Sequence, residues 1–308
     1  MAAEVVKIDY ERRVLVLDRL TIVAPLGLRF QDATTGETVR DGLTVTAYPV
    51  KRPGARRSLI TNRRGIHALH HAPGLRDVEN GAGDFDYWNN LTTKDFVIEV
   101  IDQQARFIPF QFVVGLPVQW NKTGSSSPDI KNIPLYSAPT RTAVAGMAVV
   151  RADLWDPAIG PNGGSAASAV LELYDNDQMV ARGIADQQGR VAVLFPYPAP
   201  RSFPVISPLG SPPVTRPALT DQSWTFQARA LYARPIQSPL EASSENSLPD
   251  LQSVLSQPES KLWADEARTE ELQEVAVQFG CEEVLRSRSS SASPLGRECP
   301  VLFITPAV

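Results

Sequence analysis

The residues that most invite chemistry are three histidines, His67, His70 and His71, the only imidazoles in the chain. Such clustering suits a zinc site. On an extended strand, however, His67 and His71 point to one face and His70 to the other, so three ligands do not converge. They are read as ordinary strand and turn residues. Asp84 and Asp86 lie beside Phe85, Tyr87 and Trp88. Two carboxylates among aromatics can hold a sugar or a cation, but the same composition suits a loop closed by its own aromatic cluster, and that reading is preferred. Asp175-Asn176-Asp177 opens like a calcium loop but lacks the following Gly and terminal Glu, so a hairpin turn is expected. The glycines from Gly160 to Gly164 lack the Lys and the helix of a phosphate loop. No G-x-S-x-G elbow and no Cys/His pairing in a strand-to-helix context occurs. The expectation is a non-enzymatic protein with no catalytic residue, no cofactor and no metal.

The elements that position these residues follow from composition. The chain has 308 residues, 43% hydrophobic and 21% charged, which suits two ordinary folded domains and excludes global disorder. Thirty basic against 34 acidic side chains give a formal charge of −4. Without a basic block longer than a pair, nucleic acid is not an expected partner. Twenty-six prolines and 19 glycines punctuate the chain too often for long helices, so the class should be mainly β. The uncharged run from Phe107 to Trp120 is too short for a membrane helix and contains Pro109, Gly115 and Pro117. Neither a membrane span nor a secretory signal is visible, so the chain is expected in the cytoplasm or in an assembled particle. Cys281 and Cys299 could face each other across a hairpin, but a lone pair in such a chain is more often reduced.

Strand-length segments are expected at Leu20–Val23, Leu28–Phe30, Leu43–Tyr48, Ser58–Thr61, Ile66–Leu69, Phe96–Ile101 and Phe107–Val114. A second series covers Ala145–Leu154, Ala169–Tyr174, Met179–Ala185, Arg190–Phe195 and Trp224–Tyr232, and closes with Val275–Phe279, Glu282–Arg286 and Val301–Ile304. Pro249, the apolar face Leu251, Val254 and Leu255, and Pro258 as stop predict one short helix. A second is expected over Leu262–Leu272. The fold is therefore two antiparallel β-sandwich domains with Pro-rich insertions and one or two short helices near the C-terminus. Its parts are an N-terminal arm (1–19), a first sandwich (20–118), a linker (119–140), a second sandwich core (141–236), and a polar segment, helix and strands completing it (237–308). Within the second domain, eight prolines from Pro196 to Pro217 mark an extended surface excursion.

The two halves share a local grammar. In each, an alternating strand ends in Tyr (Tyr48, Tyr174), and a later strand passes through a polar turn with Gly into the next (Asn62-Arg63-Arg64-Gly65, Asp186-Gln187-Gln188-Gly189). An Asx side chain and a Gly of positive φ are what such a turn requires. With the Pro73-Gly74 turn and the strand at Phe96–Val100, this pattern resembles the carboxypeptidase regulatory-like, or transthyretin-like, β-sandwich. At whole-chain level the segments APLGLRFQDATTGETVRDGLTVTAYP, APGLRDVE, FVIEVIDQQARFIPFQFVVGLP, LPDLQSVLSQP and CPVLFITP resemble proteins encoded with phage-tail-like contractile injection particles.

That resemblance implies a structural or accessory part of the particle, at an end cap or baseplate, with other particle subunits as partners, in a symmetric ring. The candidate interaction residues are Phe85, Tyr87 and Trp88 of the long loop and Pro204, Pro208, Pro212 and Pro213 of the Pro-rich insertion. The alternative is a module that recognises a glycan or peptide through the 72–94 loop.

Overall fold

The structure is a computed structural model that describes residues 24–76, 79, 92–117, 130–199, 218–234, 248–289 and 299–306. It is mainly β, and the described residues include the short α-helix given below. Among the described residues no helix is long and apolar enough to cross a membrane. The chain divides into two compact units. The first takes residues up to Gln31, Thr38–Gln103 and Pro109–Pro134. The second takes Asp32–Glu37, Gln104–Ile108 and the chain from Leu135 onward.

The first unit is built from two four-stranded sheets. One runs in the order β4 (Ile60–Thr61), β5 (Ile66–Leu69), β1 (Leu26–Asp32), β8 (Lys131–Leu135). The other runs β3 (Arg57–Ser58), β2 (Leu43–Pro49), β6 (Lys94–Asp102), β7 (Phe110–Leu116). Strict alternation in β1 sends Leu26, Leu28 and Phe30 inward, and the pairs Phe96–Val114, Ile98–Phe112 and Val100–Phe110 line one face of the other sheet. Pro109 starts β7 later than periodicity alone suggests, because proline cannot donate to the ladder. β8 lies inside the stretch read from composition as a linker, where its own proline and short length hide the strand signal.

The second unit is organised by β9 (Met147–Asp156), which belongs to two sheets at once. Its first part pairs with β13 (Arg190–Pro196) on one edge and β17 (Glu282–Leu285) on the other. Its last residues pair with β10 (Gly164–Ser165) and β18 (Leu302–Pro306). From β18 the path continues through β15 (Glu259–Trp263), β14 (Ser223–Leu231) and β11 (Val170–Asp175) to β12 (Gln178–Ile184), with β16 (Glu274–Gln278) also paired to β14. β17 and β18 run parallel to β9, so the unit is not purely antiparallel. Ala148, Val150, Ala152 and Leu154 of β9 enter the main core with Phe195, Phe226 and Ile304. Val149, on the other face, packs with Ala192 and Leu194.

The short helix α1 (Leu251–Leu255) is capped by Asp250, whose carboxylate accepts from the Ser253 N–H at 2.8 Å. The second helix expected over Leu262–Leu272 is absent. Leu262 and Trp263 are strand residues opposite Ile304 and Phe303. Beyond them Asp265 accepts from the Thr269 and Glu270 N–H groups at 2.9 Å, and Arg268 turns at φ 58°, which ends any helical path.

The two polar turns have the same hydrogen bonds. Asn62 Oδ1 accepts from the Arg64 and Ile66 N–H groups at 2.9 and 3.0 Å, and Asp186 Oδ1 accepts from Gln188 and Arg190 at 2.9 and 3.0 Å. Gly65 and Gly189 follow at φ 74° and 79°. The first turn joins paired strands of one sheet, whereas the second carries the chain from β12 to β13, in different sheets. There the two backbones approach closely: a methyl group on Gly183 would lie 2.6 Å from the Ala192 carbonyl oxygen. Gly183→Ala should therefore destabilise the second unit by about 1–3 kcal/mol in chemical denaturation. Gly54→Ala, whose added methyl meets open space, should be within about 0.5 kcal/mol of wild type. Equal effects at the two positions would contradict this packing.

Candidate functional site

Every interaction residue expected from the sequence lies outside the described residues: Phe85, Tyr87, Trp88, Pro204, Pro208, Pro212 and Pro213, and with them Asp84 and Asp86. What is described of the long loop is its base. Ala72, Pro73, Gly74 and Leu75 form a turn closed by the Leu75 N–H on the Ala72 carbonyl at 3.0 Å, with Gly74 at φ 79°. Buried Glu79 accepts from the Ala72 N–H at 2.8 Å and faces His71 Nδ1 at 3.7 Å.

The three histidines separate more widely than strand alternation alone requires. β5 ends at Leu69, and His71 turns outward at φ 55°. His67 is only 2% exposed, edge-on to Phe30, with Nδ1 3.0 Å from the Thr61 hydroxyl. Its Nε2 is buried without a partner. No group of three metal-ligating side chains occurs among the described residues. Burial holds the His67 pKa below its ordinary 6.5.

The buried carboxylates are held by arginines and hydroxyls. Glu99 on β6 receives both Arg56 Nη1 and Nη2, at 2.5 and 3.0 Å, and the hydroxyls of Tyr48 and Thr46 at 3.0 and 3.2 Å. The Arg56 guanidinium also lies 4.7 Å from the centre of the Tyr48 ring. Glu172 on β11 sits between β12 and β14. It accepts from Arg182 Nε at 2.6 Å and from the Tyr174 hydroxyl at 2.8 Å, while Arg229 covers the Tyr174 ring at 4.4 Å. Each half thus builds a Tyr–Glu–Arg cluster, from different strands. Asp156, at the end of β9, pairs with Arg234 and accepts from the Ala158 N–H at 2.9 Å.

The electrostatics follow from these contacts. Burial and the neighbouring Glu99 push the Tyr48 hydroxyl up to about 12, and burial and Asp156 do the same to Tyr232. Burial alone would raise the Asp156 carboxyl, but hydrogen bonds from Arg234 and the Ala158 N–H and the guanidinium charge bring it below its usual value. Charge-assisted hydrogen bonds of this kind tie neighbouring strands together, so these clusters act as rivets between strands.

Two outward features remain. β12 ends the hydrogen-bonded path of the large sheet, and beside its turn Met179 and Val180 are 45% and 38% exposed. That turn, Asn176 and Asp177 at φ 48° and 62°, is the hairpin expected in place of a calcium loop. Across the outer face of the same sheet the register aligns Trp155, Phe303 and Trp263 on adjacent strands, all half-exposed. The Trp263 indole N–H donates to the Thr305 hydroxyl at 2.9 Å. Gly163, from the glycine run, carries the Trp155 indole; a methyl there would lie 2.3 Å from its nitrogen. Sequence reasoning missed this row because its members lie far apart in the chain and become neighbours only through a parallel pairing. Cys281 is exposed and Cys299 buried, and both are free thiols.

Comparison with known protein families, with characterised proteins and with solved structures finds no match.

The buried imidazole gives a signed pH dependence. Because the folded state disfavours protonation, His67 costs the first unit no stability above pH 6.5, and stability falls as pH drops below that value. In urea denaturation followed across this range, His67→Phe should flatten the acid-side slope. An unchanged slope would show that other groups set it.

Proposed function

We propose that this chain is a non-enzymatic structural or accessory subunit of a phage-tail-like contractile injection particle, placed at an end cap or baseplate and used in repeated copies. The whole-chain resemblance stated above supports the placement. The resemblance of each half to a regulatory-like sandwich supports a part without turnover, since such a fold carries no activity of its own. The observation that carries the reading is the β12 edge. Natural sheets shield their outer strands with charge, proline or covering segments, because an open edge templates another strand. Here the exposed end of the edge offers Met179 and Val180. An incoming strand takes its affinity from main-chain hydrogen bonds and its specificity from alternate side chains, which suits repeated contacts in a ring. Trp155, Phe303 and Trp263 add half-exposed aromatic area of the kind enriched at protein interfaces.

The test compares the wild-type chain with a Met179→Lys/Val180→Lys variant in the native host. Both side chains are exposed, so circular dichroism and thermal unfolding should change little. Recovery of the variant in purified tail-like particles should fall at least about tenfold, since lysine on an edge strand opposes strand addition. Equal recovery of both forms, or absence of the wild-type chain from particles, contradicts the proposal.

A further inference from the structure

The first unit carries a second surface, independent of the β12 edge. At one end of the sheet containing β2 and β6, Pro49 closes β2 and Lys94 opens β6. The Val50 N–H still reaches the Asp95 carbonyl at 3.1 Å. The Ala72–Leu75 turn approaches this end, and its Gly74 carbonyl accepts from the Lys94 ammonium at 2.7 Å. Between these segments lies a cavity of about 490 Å³. Its apolar wall is Pro49, Val50 and Pro73, with Val50 37% exposed.

The charge around this cavity runs against the rest of the molecule. Lys51, Arg52 and Lys94 line it against a single carboxylate, Asp95, in a chain of net charge −4. The side chains of Lys51 and Arg52 are exposed and have no hydrogen-bond or ion-pair partner among the described residues, whereas nearby Arg56 is committed to Glu99. Exposed cations bind a lone carboxylate weakly, with a gain of roughly 0–1 kcal/mol per pair. Useful affinity therefore needs several carboxylates at once and an apolar group to fill the wall. Two adjacent free cations, with a third across the cavity, match acidic side chains spaced along one strand of polypeptide.

We propose that this cavity binds an extended acidic peptide segment of a partner protein, with an apolar side chain against Pro49, Val50 and Pro73 and carboxylates on Lys51 and Arg52. Electrostatic steering favours the encounter, and the apolar wall retains the segment.

The experiment uses the full chain and fluorescence anisotropy with a labelled peptide alternating glutamate and leucine. Binding is expected, weakening as salt rises. A Lys51→Glu/Arg52→Glu variant should lose at least about tenfold in affinity. An Arg63→Glu/Arg64→Glu variant, with the same charge change on the exposed turn before Gly65, should bind as wild type. Circular dichroism of both variants should match wild type. The proposal is overturned if the peptide does not bind, if both variants lose affinity equally, or if a lysine–leucine peptide binds as well. It is also overturned if benzoate competes at the peptide's own concentration, which would make the ligand a small carboxylate, or if oligothymidylate binds more tightly, which would make it a nucleic acid.

Discussion

The second unit depends on one strand serving two sheets. β9 is ten residues long, and its edges pass from β13 and β17 to β10 and β18 along its length. The first part of the strand is covered on both faces, which explains its three alanines or valines in succession from Ala148, whereas beyond it Asp153 is exposed and Trp155 half-exposed on the outer face. Two strands from C-terminal to the helix pair with it directly: β17 and β18 arrive from the end of the chain to complete its edge. The corner at Asp186–Gly189, where β12 gives way to β13, is the second half of the same constraint, and it works only because Gly183 lets the two backbones approach.

Charge is spent on this architecture. Glu99, Glu172 and Asp156 are each taken out of water and each answered by an arginine and by a tyrosine hydroxyl. A buried carboxylate left without its cation would be strongly destabilising, so such pairs fix which strands lie side by side more than they add net stability. The same accounting singles out Lys51 and Arg52, cations beside an apolar cavity that no carboxylate of the described chain answers.

Much of this fold is legible in the sequence where a local rule suffices. Alternation marks β2 and β7, the Asx–Gly turns mark both hairpin-like corners, and Pro249 and Pro258 bracket α1. Reading failed where the deciding partner is distant. Leu262 is as apolar as a helix residue, and only its pairing with Ile304 makes it strand. β8 is short and contains Pro134, and its neighbour β1 is a hundred residues away. The aromatic row needs Trp155, Trp263 and Phe303 brought together by two ladders, one of them parallel. Alternation places His67 and His71 on one face and sets only His70 apart; the structure separates His71 as well, because β5 ends at Leu69 and His71 turns at φ 55°. The loop and proline residues that composition favoured for recognition lie outside the described residues.

The proposed role rests on what faces outward: an open sheet edge at β12 and the half-exposed aromatics Trp155, Phe303 and Trp263. The most direct measurement is cryo-electron microscopy of native particles at a resolution that separates strands. The account predicts repeated copies of the chain at one end of the particle, each with a neighbouring subunit's strand hydrogen-bonded along Gln178–Arg182. Particles that lack the chain, or that contain it with the β12 edge open to solvent, would contradict it.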